Sequence, residues 1–148
     1  MSASENELRR AVAVLDQYRA QLEGLSQQQE IVRISLEEHL RARETLTRFQ
    51  QAGKDAEVLV PVGANSFVVA AVRDADKAFL GIGSDLVVQD EIPKQLERLD
   101  ARIKSITEAA NAIGGRLSEV QRRAEAQTAF VQNAYDQLQT GGPEGERE

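Results

Sequence analysis

The sequence predicts a mostly α-helical protein, in which a long antiparallel coiled coil of two helices is interrupted at its midpoint by two β-hairpins. Three observations support this fold class. Residues 5–52 carry a sustained heptad pattern, residues 91–139 carry a second one, and residues 57–89 between them are rich in strand-forming residues. With 148 residues the chain is long enough for one domain, so residues 1–148 are expected to form a single subunit.

The N-terminal segment has apolar residues at most a and d positions of a heptad repeat. These positions are Leu8, Ala11, Leu15, Tyr18, Leu22, Leu25, Gln29, Val32, Leu36, His39, Arg43 and Leu46. All but Gln29, His39 and Arg43 are apolar, which is typical of a coiled-coil seam. Gly53 follows, and glycine readily takes the left-handed conformation that ends a helix.

The C-terminal segment repeats the pattern more strictly. Its a and d positions are Leu96, Leu99, Ile103, Ile106, Ala110, Ile113, Leu117, Val120, Ala124, Gln127, Val131, Ala134 and Leu138, and only Gln127 is polar. Asp90 is the predicted N-cap, and Pro93 suits the first turn of a helix. Gly141, Gly142 and Pro143 are expected to end the helix, and residues 140–148 are expected to be a disordered tail.

Each helix needs a partner for its apolar seam, because a buried Leu or Ile contributes roughly 1.5–3 kcal/mol. The nearest partner is the other helix of the same chain, folded back antiparallel. A register in which a positions face d positions is predicted to within one heptad. It pairs Leu8 with Ala134, Leu15 with Gln127, Leu22 with Val120, Leu36 with Ile106 and Leu46 with Leu96.

The midpoint segment contains four strand-like runs, at residues 58–62, 67–72, 78–82 and 86–88. Gly, Asn, Asp and Ser separate the runs, and this alternation of strands and turns predicts two successive β-hairpins. Pro61 has no N–H to donate to a strand ladder. Its strand is therefore expected to lie at a sheet edge or to be bulged at that residue.

The predicted strands are apolar on both faces, whereas a half-exposed antiparallel sheet alternates apolar with polar residues. Two hairpins cannot bury both faces alone, and open apolar edges aggregate unless they are paired. The strands are therefore expected to pair with strands of other chains. The predicted oligomerisation residues are Val58, Val60, Val62, Phe67, Val69, Phe79, Ile82, Leu86 and Val88.

The order helix, EVLVPVGANSFVVAAV (57–72), FLGIGSDLVVQDEIPKQLERLDARIK (79–104), helix resembles the α-class subunit of the prefoldin family of co-chaperones. The resemblance covers residues 5–139. It implies a hetero-hexamer of two α-class and four β-class prefoldin subunits, whose hairpins join an intersubunit β-barrel from which the coiled coils project. It also implies an ATP-independent holdase that captures unfolded client polypeptides at the coiled-coil tips and delivers them to a group II chaperonin.

The tips of the coiled coil carry large apolar residues off the seam, and the seam itself ends there. An exposed apolar patch can hold non-native chains through burial without directional bonds. The predicted client-binding residues are Leu8, Val12, Leu15, Phe130, Val131, Tyr135 and Leu138. Ordinary packing within the coil is the alternative explanation for each of them.

Composition argues against several other partners and locations. The net charge of −6 disfavours nucleic acid and anionic membranes, which both require a positive field. The chain has no cysteine, and neither a membrane-spanning apolar run nor the apolar core of a signal peptide is present in the sequence. A cytoplasmic protein without a cofactor is expected.

Catalysis is not predicted. Gly81 and Gly83 do not continue into a dinucleotide-binding fingerprint, since Leu86 stands where the next glycine belongs. His39 is the only histidine and occupies the seam, where a structural role is expected. A coiled-coil scaffold or tether without client-holding activity remains the alternative function.

Overall fold

The computed structural model describes the backbone of residues 3–147 and the side chains of residues 4–140. Along the chain follow α1 (Ala3–Ala52), β1 (Glu57–Gly63), β2 (Ser66–Ala71), β3 (Lys77–Gly83), β4 (Leu86–Glu91) and α2 (Ile92–Arg147). The predicted class of two long helices with two antiparallel hairpins between them is confirmed. Within this described part of the chain, no helix has an apolar stretch long enough to cross a membrane.

The chain divides into two compact units, and both helices run through both of them. Unit 1 consists of Met1–Arg33 and Ala109–Glu148, and unit 2 consists of Ile34–Glu108. The described residues of unit 1 are therefore all helical. Unit 2 contains the remaining helical segments together with all four strands.

The seam predicted from the heptads forms the core of unit 1. Ala11, Leu15, Leu25 and Ala124 are buried. Gln127 is half-buried, and its Nε2 donates a hydrogen bond to the carbonyl oxygen of Ala11 at 2.9 Å. Ala11 lies one helical turn from Leu15, the predicted partner of Gln127, so this contact agrees with the antiparallel register.

In unit 2 two polar residues at predicted seam positions, Arg43 and His39, make polar contacts. Arg43, at a seam position, is exposed, and its Nε lies 2.5 Å from Oδ1 of Asp100. The predicted register places Arg43 opposite Leu99, which is next to Asp100, and Leu99 is buried. The half-buried ring of His39 has Nδ1 2.7 Å from the Ser35 carbonyl oxygen, so Nδ1 donates to the helix itself. This contact supports the structural role expected for His39.

Hairpin 1 (β1 and β2) and hairpin 2 (β3 and β4) are separate two-stranded antiparallel sheets. Their ladders match residue by residue, from Glu57 opposite Ala71 and from Lys77 opposite Glu91. A register shift falls between Pro61 and Gly63, and the same shift falls between Gly81 and Gly83 of hairpin 2, which has no proline. Pro61 pairs with Phe67 in a two-stranded sheet, so the predicted edge position is confirmed and the shift belongs to the turn. Both turns repeat the same backbone, a positive-φ glycine followed by two further positive-φ residues: Gly63, Ala64 and Asn65 in one, and Gly83, Ser84 and Asp85 in the other.

The helix ends differ in part from the predictions. Gly53 has φ 81° and its N–H donates to the Phe49 carbonyl at 3.3 Å, so the predicted C-terminal cap of α1 is confirmed. The predicted N-cap at Asp90 is wrong by one residue. The ladder of hairpin 2 extends through Glu91, which keeps Asp90 in β4.

The predicted C-terminal end of the second helix also differs from the structure. Helix α2 continues to Arg147, past Gly141 and Pro143, where the sequence predicts an end and a disordered tail. Glycine in a helix costs roughly 1 kcal/mol relative to alanine, so a pair of glycines permits an end without enforcing one. Nothing in the sequence pattern explains the passage through Pro143, and Glu148 lies outside the described residues.

Candidate protein-interaction surfaces

Exposed large apolar side chains are grouped on the hairpins of unit 2 and at the terminal end of unit 1. The most exposed of them on the hairpins include Phe79 at 68% and Val69 at 65% of their surface. At the terminal end Phe130 is 57% exposed. Ile31, Ile34 and Leu40 are also exposed along α1. Exposure by itself therefore does not mark a functional surface, and the surroundings of each residue decide.

The structure places the predicted oligomerisation residues on the hairpins, most of them on the surface. Val58 and Val88 are half-buried, and the remaining predicted residues are exposed: Val60, Val62, Phe67, Val69, Phe79, Ile82 and Leu86. Leu59, Val68 and Val87 are exposed as well, and the prediction left them out of the set. These three residues belong to the same apolar runs as the predicted ones. They alternate with the predicted residues along each strand and so lie on its opposite face.

Hairpin 2 is attached to α2 by a glutamine that is completely buried. The Nε2 of Gln95 donates to the carbonyl oxygens of Ala78 on β3 at 2.8 Å and of Val88 on β4 at 2.9 Å. Its Oε1 accepts a hydrogen bond from Arg98 at 2.9 Å. Both donors and the acceptor of this amide are therefore used. Gln95 joins both strands of the hairpin to the helix.

Two arginines one and two turns further along α2 extend this attachment. Arg98 reaches Oδ2 of Asp90 on β4 at 3.1 Å, and Arg102 donates through Nη2 to the carbonyl oxygen of Gly81 on β3. The pKa of Asp90 is held below its ordinary value by the backbone N–H of Glu91 first, and then by the hydrogen bond from Arg98 and the nearby positive charges. We call Gln95, Arg98 and Arg102 the α2 clamp.

Hairpin 1 lacks a corresponding attachment. Val72, directly after β2, exchanges two backbone hydrogen bonds with the segment after α1: its carbonyl accepts from Asp55 at 2.7 Å, and its N–H donates to Ala56 at 2.8 Å. Val72 is buried. Among the described residues, no side-chain hydrogen bond or ion pair joins β1 or β2 to either helix. Hairpin 1 is therefore fixed only where its strands leave it.

A third feature of unit 2 is a groove between α1 and β3. It has a volume of about 410 Å³ and is lined by Glu38, Arg41, Ala42, Thr45, Leu46, Phe79 and Leu80. The predicted oligomerisation residue Phe79 thus belongs both to the exposed face of hairpin 2 and to the wall of a groove. The exposed apolar surface of hairpin 2 therefore continues onto the C-terminal part of α1.

Two cavities open at the terminal end of unit 1 and share Glu7 and Phe130. The larger one, of about 440 Å³, is lined by Ser4, Glu7, Phe130, Asn133, Ala134, Gln137 and Leu138. The smaller one, of about 240 Å³, is lined by Glu7, Arg10, Ala11, Val14, Gln127 and Phe130. We call the two together the tip cleft.

The structure brings only part of the predicted client-binding set to the surface. Leu15 is 5% exposed and Leu8, Val131 and Leu138 are half-buried, whereas Val12, Phe130 and Tyr135 are exposed. Of these seven, Phe130 and Leu138 line the tip cleft. The prediction did not include Glu7, which lines both cavities, because an acidic residue near a helix N-terminus is typical of an ordinary solvated side chain. Its position beside Phe130 depends on how the two helices meet.

The fold and its two exposed apolar surfaces define a helical subunit suited to protein–protein contact through strands and through a coiled-coil end. The chain belongs to the prefoldin family, since the family model described as Prefoldin subunit matches residues 18–137. Prefoldins are chaperones, so the chain is a subunit of the chaperone type.

Curated relatives narrow the comparison to prefoldin alpha subunits. The alpha subunit of Methanospirillum hungatei is 32% identical over 124 residues, covering 84% of this chain and 80% of the relative. The alpha subunit of Methanosarcina barkeri is 29% identical over 122 residues, covering 80% of this chain and 85% of the relative.

Solved structures share the fold. A filamentous prefoldin from Methanocaldococcus jannaschii matches with a TM-score of 0.66 at 23% identity, covering 79% of this chain and 97% of that chain. The prefoldin beta subunit of Thermococcus strain KS-1 matches with a TM-score of 0.58 at 21% identity, covering 86% of this chain and 91% of that chain.

Proposed function

We propose that this chain is the α-class subunit of a cytoplasmic hetero-hexameric prefoldin, built from two copies of it and four β-class subunits. Its hairpins join an intersubunit β-barrel. The complex acts without ATP or any cofactor as a holdase, capturing unfolded polypeptides at the coiled-coil tips and delivering them to a group II chaperonin. No catalytic step is part of this function.

The single observation that carries the proposal is the exposure of apolar residues along all four strands. Both hairpins are two-stranded and present large apolar side chains such as Leu59, Val69 and Phe79 to solvent. An isolated two-stranded hairpin is marginally stable in water, and an open apolar edge is a template for pairing with another chain. Assembly through these strands removes both problems at once.

The proposed client site rests on the tip cleft. Phe130 is exposed between two cavities, at an end of the coiled coil where further apolar side chains such as Val14 and Leu138 line the walls. Burial of apolar surface has no directional requirement, so such a cleft can hold many different unfolded segments. A preference for one folded partner would require more fixed polar contacts than the cleft offers.

Assembly is tested by placing a charge on an exposed strand. In Val69→Asp or Phe67→Asp, an uncompensated carboxylate would be buried in the barrel, which is strongly unfavourable. We expect the hexamer formed with β-class subunits to be lost, as measured by native mass spectrometry. The matched control is Ile31→Asp, because Ile31 is equally exposed but lies on α1 outside both surfaces. An intact hexamer in the strand variants would contradict the proposed barrel.

Client holding is tested on the assembled complex with a chemically denatured client whose aggregation is followed by light scattering. Removal of residues 1–12 and 131–148, together with the corresponding coiled-coil ends of the β-class subunits, is expected to abolish protection while the hexamer persists, because the hairpins are untouched. Equal protection by the truncated complex would contradict holding at the tips. A full-length hexamer that never protects would favour the scaffold function instead.

A further inference from the structure

The tip cleft has an electrostatic asymmetry that its apolar lining does not explain. Glu7 and Phe130 line both cavities, so an acidic residue and an aromatic residue border both volumes. Among the residues whose side chains are described, Glu7 has neither an ion-pair partner nor a hydrogen-bond partner. Arg10 lines only the smaller cavity, so among the described residues Glu7 is the one charged residue in the lining of the larger cavity.

No lysine or arginine among the described residues lines the larger cavity. Around Glu7 its polar wall consists of Ser4, Asn133 and Gln137, whose hydroxyl and amide oxygens can accept hydrogen bonds. Its apolar wall consists of Phe130, Ala134 and Leu138. At about 440 Å³ it lies within the range of roughly 300–1,000 Å³ typical of binding pockets. The wall combines a negative charge, hydrogen-bond acceptors and an apolar surface.

A lysine or arginine side chain matches this combination. Its methylene stem can lie on apolar surface while the charged end reaches a carboxylate, and a cation near an aromatic ring is additionally attracted to the ring face. In the larger cavity Leu138 and Ala134 would meet the stem, and Glu7 with Phe130 would meet the cation.

The smaller cavity differs in charge and favours a different side chain. Arg10 lines it alongside Glu7, so its positive charge disfavours binding of a basic side chain there. Its remaining lining is largely apolar, with Ala11, Val14 and Phe130. This cavity is suited to an aliphatic or aromatic side chain.

We propose that the tip cleft binds segments of unfolded polypeptide in which a lysine or arginine lies within a few residues of an apolar side chain. The basic residue occupies the larger cavity against Glu7, and the apolar residue occupies the smaller one. This inference rests on the proposed holdase function and assigns its substrate class. Segments with an acidic residue in place of the basic one are disfavoured by repulsion from Glu7.

The test uses the assembled complex and fluorescein-labelled unstructured peptides of one length, measured by fluorescence anisotropy. The three peptides carry Lys, Gln or Glu at one position near a Leu–Phe pair. An exposed charge pair contributes about 0.2–1 kcal/mol, so the Lys peptide should bind roughly 1.5-fold to fivefold more tightly than the Gln peptide. The Glu peptide should bind most weakly, and 0.5 M salt should reduce the differences because it screens exposed charges.

The decisive variant is Glu7→Gln, with Glu125→Gln as the matched control. Glu125 is an exposed acid on α2 in the same unit but outside both cavities. We expect Glu7→Gln to remove the preference for Lys while the Gln peptide binds as before, and Glu125→Gln to keep the preference. Phe130→Ser should weaken binding of every peptide, with helix content checked by circular dichroism.

The outcomes separate the two proposals. A preference for Lys that survives Glu7→Gln, or equal binding of the three peptides by the natural complex, would overturn the charge preference and leave client holding intact. A natural complex that binds none of the peptides and protects no client would overturn the proposed function itself.

Discussion

The two hairpins are nearly the same local structure attached to the subunit in two different ways. Their ladders match position by position, and both turns use a positive-φ glycine followed by two further positive-φ residues. Hairpin 2 is connected to α2 through Gln95, Arg102 and the Arg98–Asp90 ion pair. Among the described residues, hairpin 1 has backbone hydrogen bonds at Val72 and no side-chain hydrogen bond or ion pair to a helix. Local sequence therefore specifies the hairpin, and contacts from outside specify how firmly it is held.

The difference has a consequence for assembly. Stability within a protein varies by region, and segments with few external contacts open most readily. In the unassembled subunit we expect hairpin 2 to keep a fixed orientation and hairpin 1 to open locally. Hairpin 1 should then gain most order when it pairs with a neighbouring subunit. Changes in the α2 clamp test this comparison directly.

The largest effect is expected for Gln95→Leu. The substitution leaves the carbonyls of Ala78 and Val88 without their side-chain donor and removes the acceptor of Arg98. Because buried polar groups without partners cost about 1–3 kcal/mol, hairpin 2 should lose about 2–3 kcal/mol of local stability. Amide hydrogen exchange should show hairpin 2 becoming as poorly protected as hairpin 1. The control is Gln89→Leu, since Gln89 is exposed on β4 and should change stability by less than about 0.5 kcal/mol. Unchanged protection of hairpin 2 would refute the role of the clamp.

A smaller effect is expected for Arg102→Met, which keeps an apolar stem and removes the donor to the Gly81 carbonyl. A typical intramolecular hydrogen bond contributes about 1 kcal/mol, so the local stability of hairpin 2 should fall by about that amount. Arg116→Met, at an exposed position of α2 in unit 1, is the control and should leave hairpin 2 unaffected. Equal hydrogen-exchange rates in the two variants would show that Arg102 adds nothing to the attachment.

The smallest effect concerns pH. The pKa of Asp90 is lowered in the folded chain, so the unfolded state binds more protons at acidic pH and stability rises with pH there. The contribution of Asp90 is present above its ordinary pKa of about 3.9 and is lost as pH falls through the lower pKa of the folded state. In Asp90→Asn, this part of the acid dependence of hairpin 2 should disappear. Glu30, whose pKa is also lowered, lies in unit 1 and keeps its own contribution in the variant. An identical acid profile of hairpin-2 exchange in the variant would contradict the role of Asp90.

The features that could be predicted are those with a local signal. The heptads located the seam because a helix brings every third or fourth residue to one face, and the predicted apolar seam positions are indeed buried or half-buried in both units. Pro61 predicted an edge strand because proline has no N–H for a second ladder, and β1 is an edge strand. Gly53 predicted the end of α1 because glycine readily adopts the left-handed conformation, and Gly53 has φ 81°.

The α2 clamp could not be predicted, because Gln95, Arg98 and Arg102 have the composition of a solvated helix face. The same limit applies at the tip. Leu15 and Phe130 were both expected to meet clients, yet Leu15 is buried in the seam and Phe130 is exposed in the cleft. Exposure and neighbours depend on the angle and separation of two helices, which the residue types alone do not encode.

The sequence by itself determined the periodic features of this protein: two coiled-coil helices, their antiparallel register, and two hairpins apolar on both faces. Only the tertiary structure decided which of the two hairpins is attached to α2, which apolar residues stay accessible, and that Glu7 and Phe130 line the same cavities. The physical reason is range. Periodicity follows from the geometry of neighbouring residues, whereas side-chain hydrogen bonds to distant carbonyls and cavities between helices require segments far apart in sequence to meet within a few ångströms.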